Sequence, residues 1–134
     1  MSLTDWPKTS APQLHITLGR SSPATTRATI VGEIDRATVP LLRDRLMRAV
    51  RDKKLDLLDI DLAGVRFLDC AGIGALLVVY NTAVRSGRRV QLSHPQPLVR
   101  HILDLTGLLH LLAADPNELE PDPGTTSQRL LVAR

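Results

Sequence analysis

The chain has almost no aromatic residues. Trp6, Phe67 and Tyr80 make up 2% of its 134 residues, so a core has to be built from Leu, Val, Ile and Ala. The stacking platforms that hold single-stranded nucleic acids are also missing. A single cysteine, Cys70, excludes an internal disulfide and agrees with a reducing compartment. No apolar run approaches the roughly 18 residues that cross a bilayer, and the opening "MSLTDWPKTSAPQ" has no apolar core of a secretion signal. The expected location is the cytoplasm, with no membrane span. Charge of one sign is not massed in a single block of sequence either. The net charge is +3 and the arginines are scattered, which reads as a solvated surface without a direct nucleic-acid partner.

What is present describes an ordinary globular domain. Apolar residues account for 43% and charged residues for 23%, values that set the chain apart from disordered sequences. Its length suits one domain with a sizeable core. Pro7 and Pro12 punctuate residues 1–12, and "DPNELEPDPGTT" opens a second proline-rich stretch. The expected organisation is a flexible N-terminal segment over 1–12, a domain over 13–114 and a C-terminal tail over 115–134.

Inside the domain, apolar residues alternate with polar ones in four places: Leu14/Ile16/Leu18, Ala28/Ile30, Leu58/Ile60/Leu62 and Val90/Leu92. A period of two predicts strands with one face covered and the other largely open, and "LLHLLAA" after Gly107 suggests a short fifth. Asp59 and Asp61 fall on the open face and read as solvated. Between the strands the period becomes helical. Val39, Leu42, Leu46 and Val50 mark one helix, with Thr38 as N-cap and Pro40 in its first turn. Ile73, Leu76, Leu77, Tyr80 and Val84 mark a second that ends at Gly87, and Leu98, Ile102 and Leu105 a third that ends at Gly107. The expected fold is α/β: a small mixed β-sheet with helices packed mainly on one face.

One junction stands out. "FLDCAGIGALL" (67–77) places Asp69, Cys70, Gly72 and Gly74 where a strand ends and a helix begins. Each glycine in a helical turn costs about 1 kcal/mol against alanine, so a bare backbone there calls for a close approach, either of a partner or of the helix to its own sheet. The helix start also presents unpaired amides and the positive end of the dipole, with Asp69 or Cys70 as the cap.

"DLAGVRFLDCAGIGALL" (61–77) resembles the signature of STAS-domain anti-sigma factor antagonists, in which an aspartate, two serines and Gly-Leu-Gly open a helix. "VGEIDRATVPLLRDRL" (31–46) is similar to that family's Gly-Glu-Leu-Asp loop and first helix, and "VRHILDLTGLLHLL" (99–112) to its third helix. The resemblance spans roughly residues 13–114 and implies the STAS fold. It also implies a role as anti-sigma factor antagonist: binding to an anti-sigma factor, often a serine kinase of the GHKL type, and so regulation of transcription. In this family phosphorylation of the first serine switches binding off. Here that phosphoserine-equivalent position is Cys70 and the second serine is Ala71, so the usual switch is missing. The resemblance makes Asp35 a partner-facing aspartate, against a reading as a loop cap, with Glu33 and Arg36 beside it. Asp69, Cys70, Ala71, Gly72 and Gly74 complete the expected partner-binding set.

Two other readings stay open. One is a STAS scaffold subunit of a lipid-transport or stressosome-like assembly; the other is a thiol-based sensor at Cys70, which has no second cysteine to resolve an oxidised form. Open sheet edges leave a homodimer open as well. Catalysis is disfavoured: there is no phosphate loop with its lysine, no nucleophile elbow, and Leu77 stands where a dinucleotide fingerprint needs a third glycine. His15, His94, His101 and His110 lack metal-ligand spacing, so neither metal nor cofactor is expected.

Overall fold

A computed structural model of the chain describes residues 14–112; the terminal segments expected at 1–12 and 115–134 lie outside the described residues. Four strands, β1 (Leu14–Ser22), β2 (Thr25–Ile34), β3 (Leu57–Leu68) and β4 (Arg89–Ser93), form one sheet in sequence order. β1 and β2 are an antiparallel hairpin, whereas β2, β3 and β4 run parallel. Parallel neighbours need crossovers, and these are α1 (Val39–Val50) and α2 (Cys70–Arg85), followed by α3 (Pro97–Leu105) and a short α4 (Leu108–Leu112). All four alternating segments are strands, and the sheet is mixed with helices against its apolar face, as the sequence predicts.

The core is aliphatic. Ala28, Ile30 and Ile34 of β2, Leu58, Ile60 and Leu62 of β3, and Val90 and Leu92 of β4 are buried beneath Leu42 and Leu46 of α1 and Leu76 and Val79 of α2. β3 does not keep one alternation throughout. Two register shifts, between the partners of Thr29 and Val31 and between those of Gly32 and Glu33, each insert one extra residue. They turn Val65 and Leu68 inward and Phe67 outward. Gly32, with φ +124°, lies at the second shift, in a conformation that favours glycine.

Several expectations are corrected. "LLHLL" is helical, not a fifth strand: after Gly107 turns the chain at φ +81°, all five residues fit one tight helical segment with Leu108, Leu109 and Leu112 inward. On α2, Leu77 and Val84 face outward, while Gly72, Ala75, Leu76, Val79 and Ala83 face the sheet. The helix is apolar nearly all round, and its small residues are what let it lie close. α3 likewise buries Val99 and Leu103 and leaves Leu98 and Leu105 exposed.

Asp59 is not solvated either. It is 4% exposed, accepting from Arg27 Nε at 3.0 Å and from Ser93 Oγ at 2.8 Å, so one carboxylate ties β2, β3 and β4 together. Asp61 is half-buried, 3.5 Å from His94 Nδ1. Among the described residues no helix is long and apolar enough to cross a membrane.

Candidate functional site

The parallel strands β2 and β3 end side by side, with Glu33 opposite Phe67 and Ile34 opposite Leu68. In open α/β sheets the crevice beyond the carboxyl ends of parallel strands is where binding sites form. Here the loop into α1 and the first turn of α2 meet at that edge. The Asp69 amide donates to the Ile34 carbonyl at 3.2 Å, which fastens the start of α2 to the residue before Asp35.

Both junction aspartates act on backbone amides. Asp69 is the N-cap of α2, in extended conformation, and its Oδ1 accepts from the Gly72 amide at 3.0 Å. Asp35 Oδ1 accepts from the amides of Ala37 at 2.9 Å and Thr38 at 3.1 Å. Thr38 occupies the N-cap position of α1, but its side chain does not cap the helix. Instead its hydroxyl donates to the Glu33 carbonyl at 2.9 Å and accepts from the Asp35 amide at 2.9 Å. The Asp35 side chain thus braces the turn ahead of α1, and the first helical amide, that of Val39, donates to the Asp35 backbone carbonyl at 2.9 Å; the tight turn aims the Thr38 hydroxyl back at the strand end.

The two glycines do different things. A Cβ on Gly72 would come within 2.5 Å of Ile34 Cγ2 and of Leu68 Cδ1, so this buried glycine lets α2 rest on its own sheet. A Cβ on Gly74 would meet nothing within 4 Å, and Gly74 is exposed. Cys70 is a free, exposed thiol in the first turn, and Ala71 beside it is half-buried. Arg36 is exposed; Glu33 is half-buried, with Arg66 3.6 Å away.

The geometry therefore gathers the Glu33–Arg36 loop and the Asp69–Gly74 turn on one edge. Gly72 lies beneath that surface and Cys70 and Gly74 lie on it. Sequence reasoning missed Phe67, 42% exposed on the sheet face next to Glu33, and the outward Leu77 and Val78 further along α2. A register shift in β3 turns Phe67 outward, and no period-two pattern reveals such a shift. Chemically the edge offers backbone, carboxylates and apolar side chains for contact, with two of the carboxylates already occupied by amides.

The STAS domain family model matches residues 21–122, and the chain belongs to the STAS domain family. It is similar to the anti-sigma F factor antagonist of Paenibacillus polymyxa, with 25% identity over 88 residues, 66% of this chain and 75% of that protein. Among solved structures it resembles an anti-sigma factor antagonist from Mycobacterium paratuberculosis, at 26% identity and a TM-score of 0.66 over 81% of this chain and 92% of that one. It also resembles the anti-sigma factor antagonist SpoIIAA in its unphosphorylated form, at 22% identity and a TM-score of 0.65 over 78% and 92% of the two chains. That last likeness concerns the fold.

Proposed function

We propose that this protein is an anti-sigma factor antagonist, acting in the cytoplasm by docking its β2–β3 edge onto an anti-sigma factor and so releasing a sigma factor. The observation that carries the reading is the adjacency of the Asp35 loop and the exposed first turn of α2, joined through the Asp69–Ile34 hydrogen bond. The likeness to antagonists from Paenibacillus polymyxa and Mycobacterium paratuberculosis supports it. Partner residues are Glu33, Asp35, Arg36, Asp69, Cys70, Ala71 and Gly74, and Gly72 serves by holding the helix down. The role is one of binding, and the partner class is a serine kinase of the GHKL type.

Cys70 takes the place of the phosphorylated serine in this reading. A phosphate adds about −1.5 to −2 charges, which the amino end of a helix tolerates and a close partner surface does not. With a thiol instead, a serine kinase has no acceptor at this position, and antagonism is constitutive or set by abundance.

Affinity co-purification from the native host tests this, comparing wild type with Cys70→Asp and Cys70→Ser. The expected result is an anti-sigma factor recovered with wild type and Cys70→Ser but lost with Cys70→Asp. Recovery of no such factor, or equal recovery with all three, would overturn the reading.

A further inference from the structure

The Cys70 edge occupies one pole of the domain; the opposite pole holds its surplus charge. There the β1–β2 turn, the segment after α1 and the α2–β4 turn converge. The Asp56 amide donates to the Ala24 carbonyl at 2.8 Å, and the Arg89 amide to the Asp56 carbonyl at 2.8 Å. Arg88 Nε donates to the Asp52 carbonyl at 3.1 Å.

Counting Arg20, the three cations from Arg51 to Lys54 and the three from Arg85 to Arg89, seven positive side chains meet two carboxylates, Asp52 and Asp56, while Arg48 pairs with Asp44 at 3.4 Å. The remaining described residues hold seven cations and seven carboxylates, so the positive excess of the described domain sits at this pole. Both acids there are engaged, Asp52 with Arg20 at 3.7 Å and Asp56 with Arg89 at 2.8 Å. Arg51, Lys53, Lys54 and Arg85 form no ion pair among the described residues. Cations at helix carboxyl ends complement the dipole, which accounts for Arg85 but not for an excess of five.

A groove of about 290 Å³ opens at the same pole, lined by Tyr80 and Val84 of α2, Val90 of β4, Leu111 and Leu112 of α4, and Arg88 and Arg89. Val84 is 52% exposed and Leu111 50%, more than an internal packing role needs. β4 is the last strand of the sheet. Because the Arg89 amide points to β3, the peptide groups of Val90 and Leu92 point away from it, and no strand pairs with that side among the described residues.

We propose that this pole is a second interaction surface, built to take an extended acidic segment of a partner protein. The segment adds as a strand to β4, packs side chains against the exposed Val84 and Leu111 at the groove, and lays its carboxylates against Arg88, Arg89 and the unpaired cations. Charge complementarity fixes the sign of the partner. The unpaired strand edge of β4 and the scarcity of aromatic side chains favour a polypeptide over a nucleic acid. Since the surface lies at the far end of the sheet from Cys70, both poles can be occupied together, and the domain then bridges two proteins.

Fluorescence polarisation of a labelled peptide, Glu-Val-Glu-Leu-Glu-Val-Glu-Leu, with the full chain tests this, against a peptide with lysine in place of glutamate. The expected result is saturable binding of the acidic peptide alone. It weakens about tenfold in high salt and in the exposed double variant Arg51→Glu/Arg85→Glu, and also in Val84→Asp, with circular dichroism showing each variant folded. Absence of saturable binding, or binding that neither variant alters, overturns the proposal. So does displacement of the peptide by phosphatidylserine vesicles or an oligonucleotide, which would make the pole a general polyanion site. Binding gained only when Asp115, Glu118, Glu120 and Asp122 are changed to their amides would also overturn it, by assigning the groove to the chain's own acidic segment.

Discussion

Gly72 lies so close over Ile34 that a Cβ on it would sit 2.5 Å from the Ile34 Cγ2, and this contact sets the depth at which α2 meets the sheet. Alanine at 72 gains about 1 kcal/mol of helix propensity but overpacks a β-branched neighbour, at a cost of about 1–3 kcal/mol. The expected net effect of Gly72→Ala is a loss of about 1 kcal/mol, read as a lower urea midpoint. Gly74→Ala meets open space and should stabilise by up to about 1 kcal/mol. If Gly74 faces the partner, the same variant weakens docking, so stability and binding move in opposite directions.

That contrast marks where the sequence stops being legible. The four strands were readable because burial on one face leaves a period of two. The junction at Asp69 was readable because capping and glycine chemistry are local. Which glycine served the sheet and which faced solvent depends on the placement of Ile34, some forty residues away in the chain. On α3, "LVRHILDL" carries apolar residues at adjacent positions, so two stripes fit the helical period, and only the packing selects Val99 and Leu103 over Leu98 and Leu105. Asp59 looked like any polar residue on an open strand, because the pairing with Arg27 and Ser93 that buries it comes from two other strands.

Asp35 has two tasks that a single substitution can separate. In the turn, its Oδ1 accepts two backbone amides, and Asp35→Ala should cost about 1 kcal/mol. Asparagine keeps the accepting oxygen and removes the charge. Asp35→Asn should therefore leave the thermal midpoint nearly unchanged. If the partner reads the carboxylate, docking measured by calorimetry falls in the same variant. Unchanged affinity would assign Asp35 to the turn alone.

The Asp59–Ser93 contact predicts non-additive energetics. Ser93→Ala takes the 2.8 Å donor away from a carboxylate that is 4% exposed, at an expected cost of about 1–3 kcal/mol. Arg27, with 47% of its side chain exposed, replaces only part of that loss, because water already shares its charge. In Asp59→Leu/Ser93→Ala no carboxylate remains to be stranded, so the double variant should be more stable than Ser93→Ala alone. Urea unfolding of wild type, Ser93→Ala, Asp59→Leu and the double variant reads this coupling; simple additivity would mean that Asp59 is satisfied by Arg27 alone.

Cys70 offers a way to place a charge at the helix start without mutagenesis. The thiol is exposed and is the only one in the chain, so iodoacetate and iodoacetamide modify one site with adducts of nearly equal size. Carboxymethylation adds a negative charge, which the positive end of α2 accepts with a gain of about 0.3–1 kcal/mol; carbamidomethylation adds none. Neither adduct is expected to lower the thermal midpoint, yet docking of the anti-sigma factor should fall further with the charged one, because the partner surface has to desolvate it. Equal loss with both would mean that bulk alone closes this edge, and a retained affinity would move the docking surface away from the first turn of α2. Hydrogen peroxide in the same assay separates a regulatory thiol from an inert one. With no second cysteine in the chain, an oxidised Cys70 stays a sulfenic acid or pairs with a thiol from outside, so a reversible loss of docking under oxidant, restored by reductant and absent in Cys70→Ser, would make Cys70 a regulatory thiol.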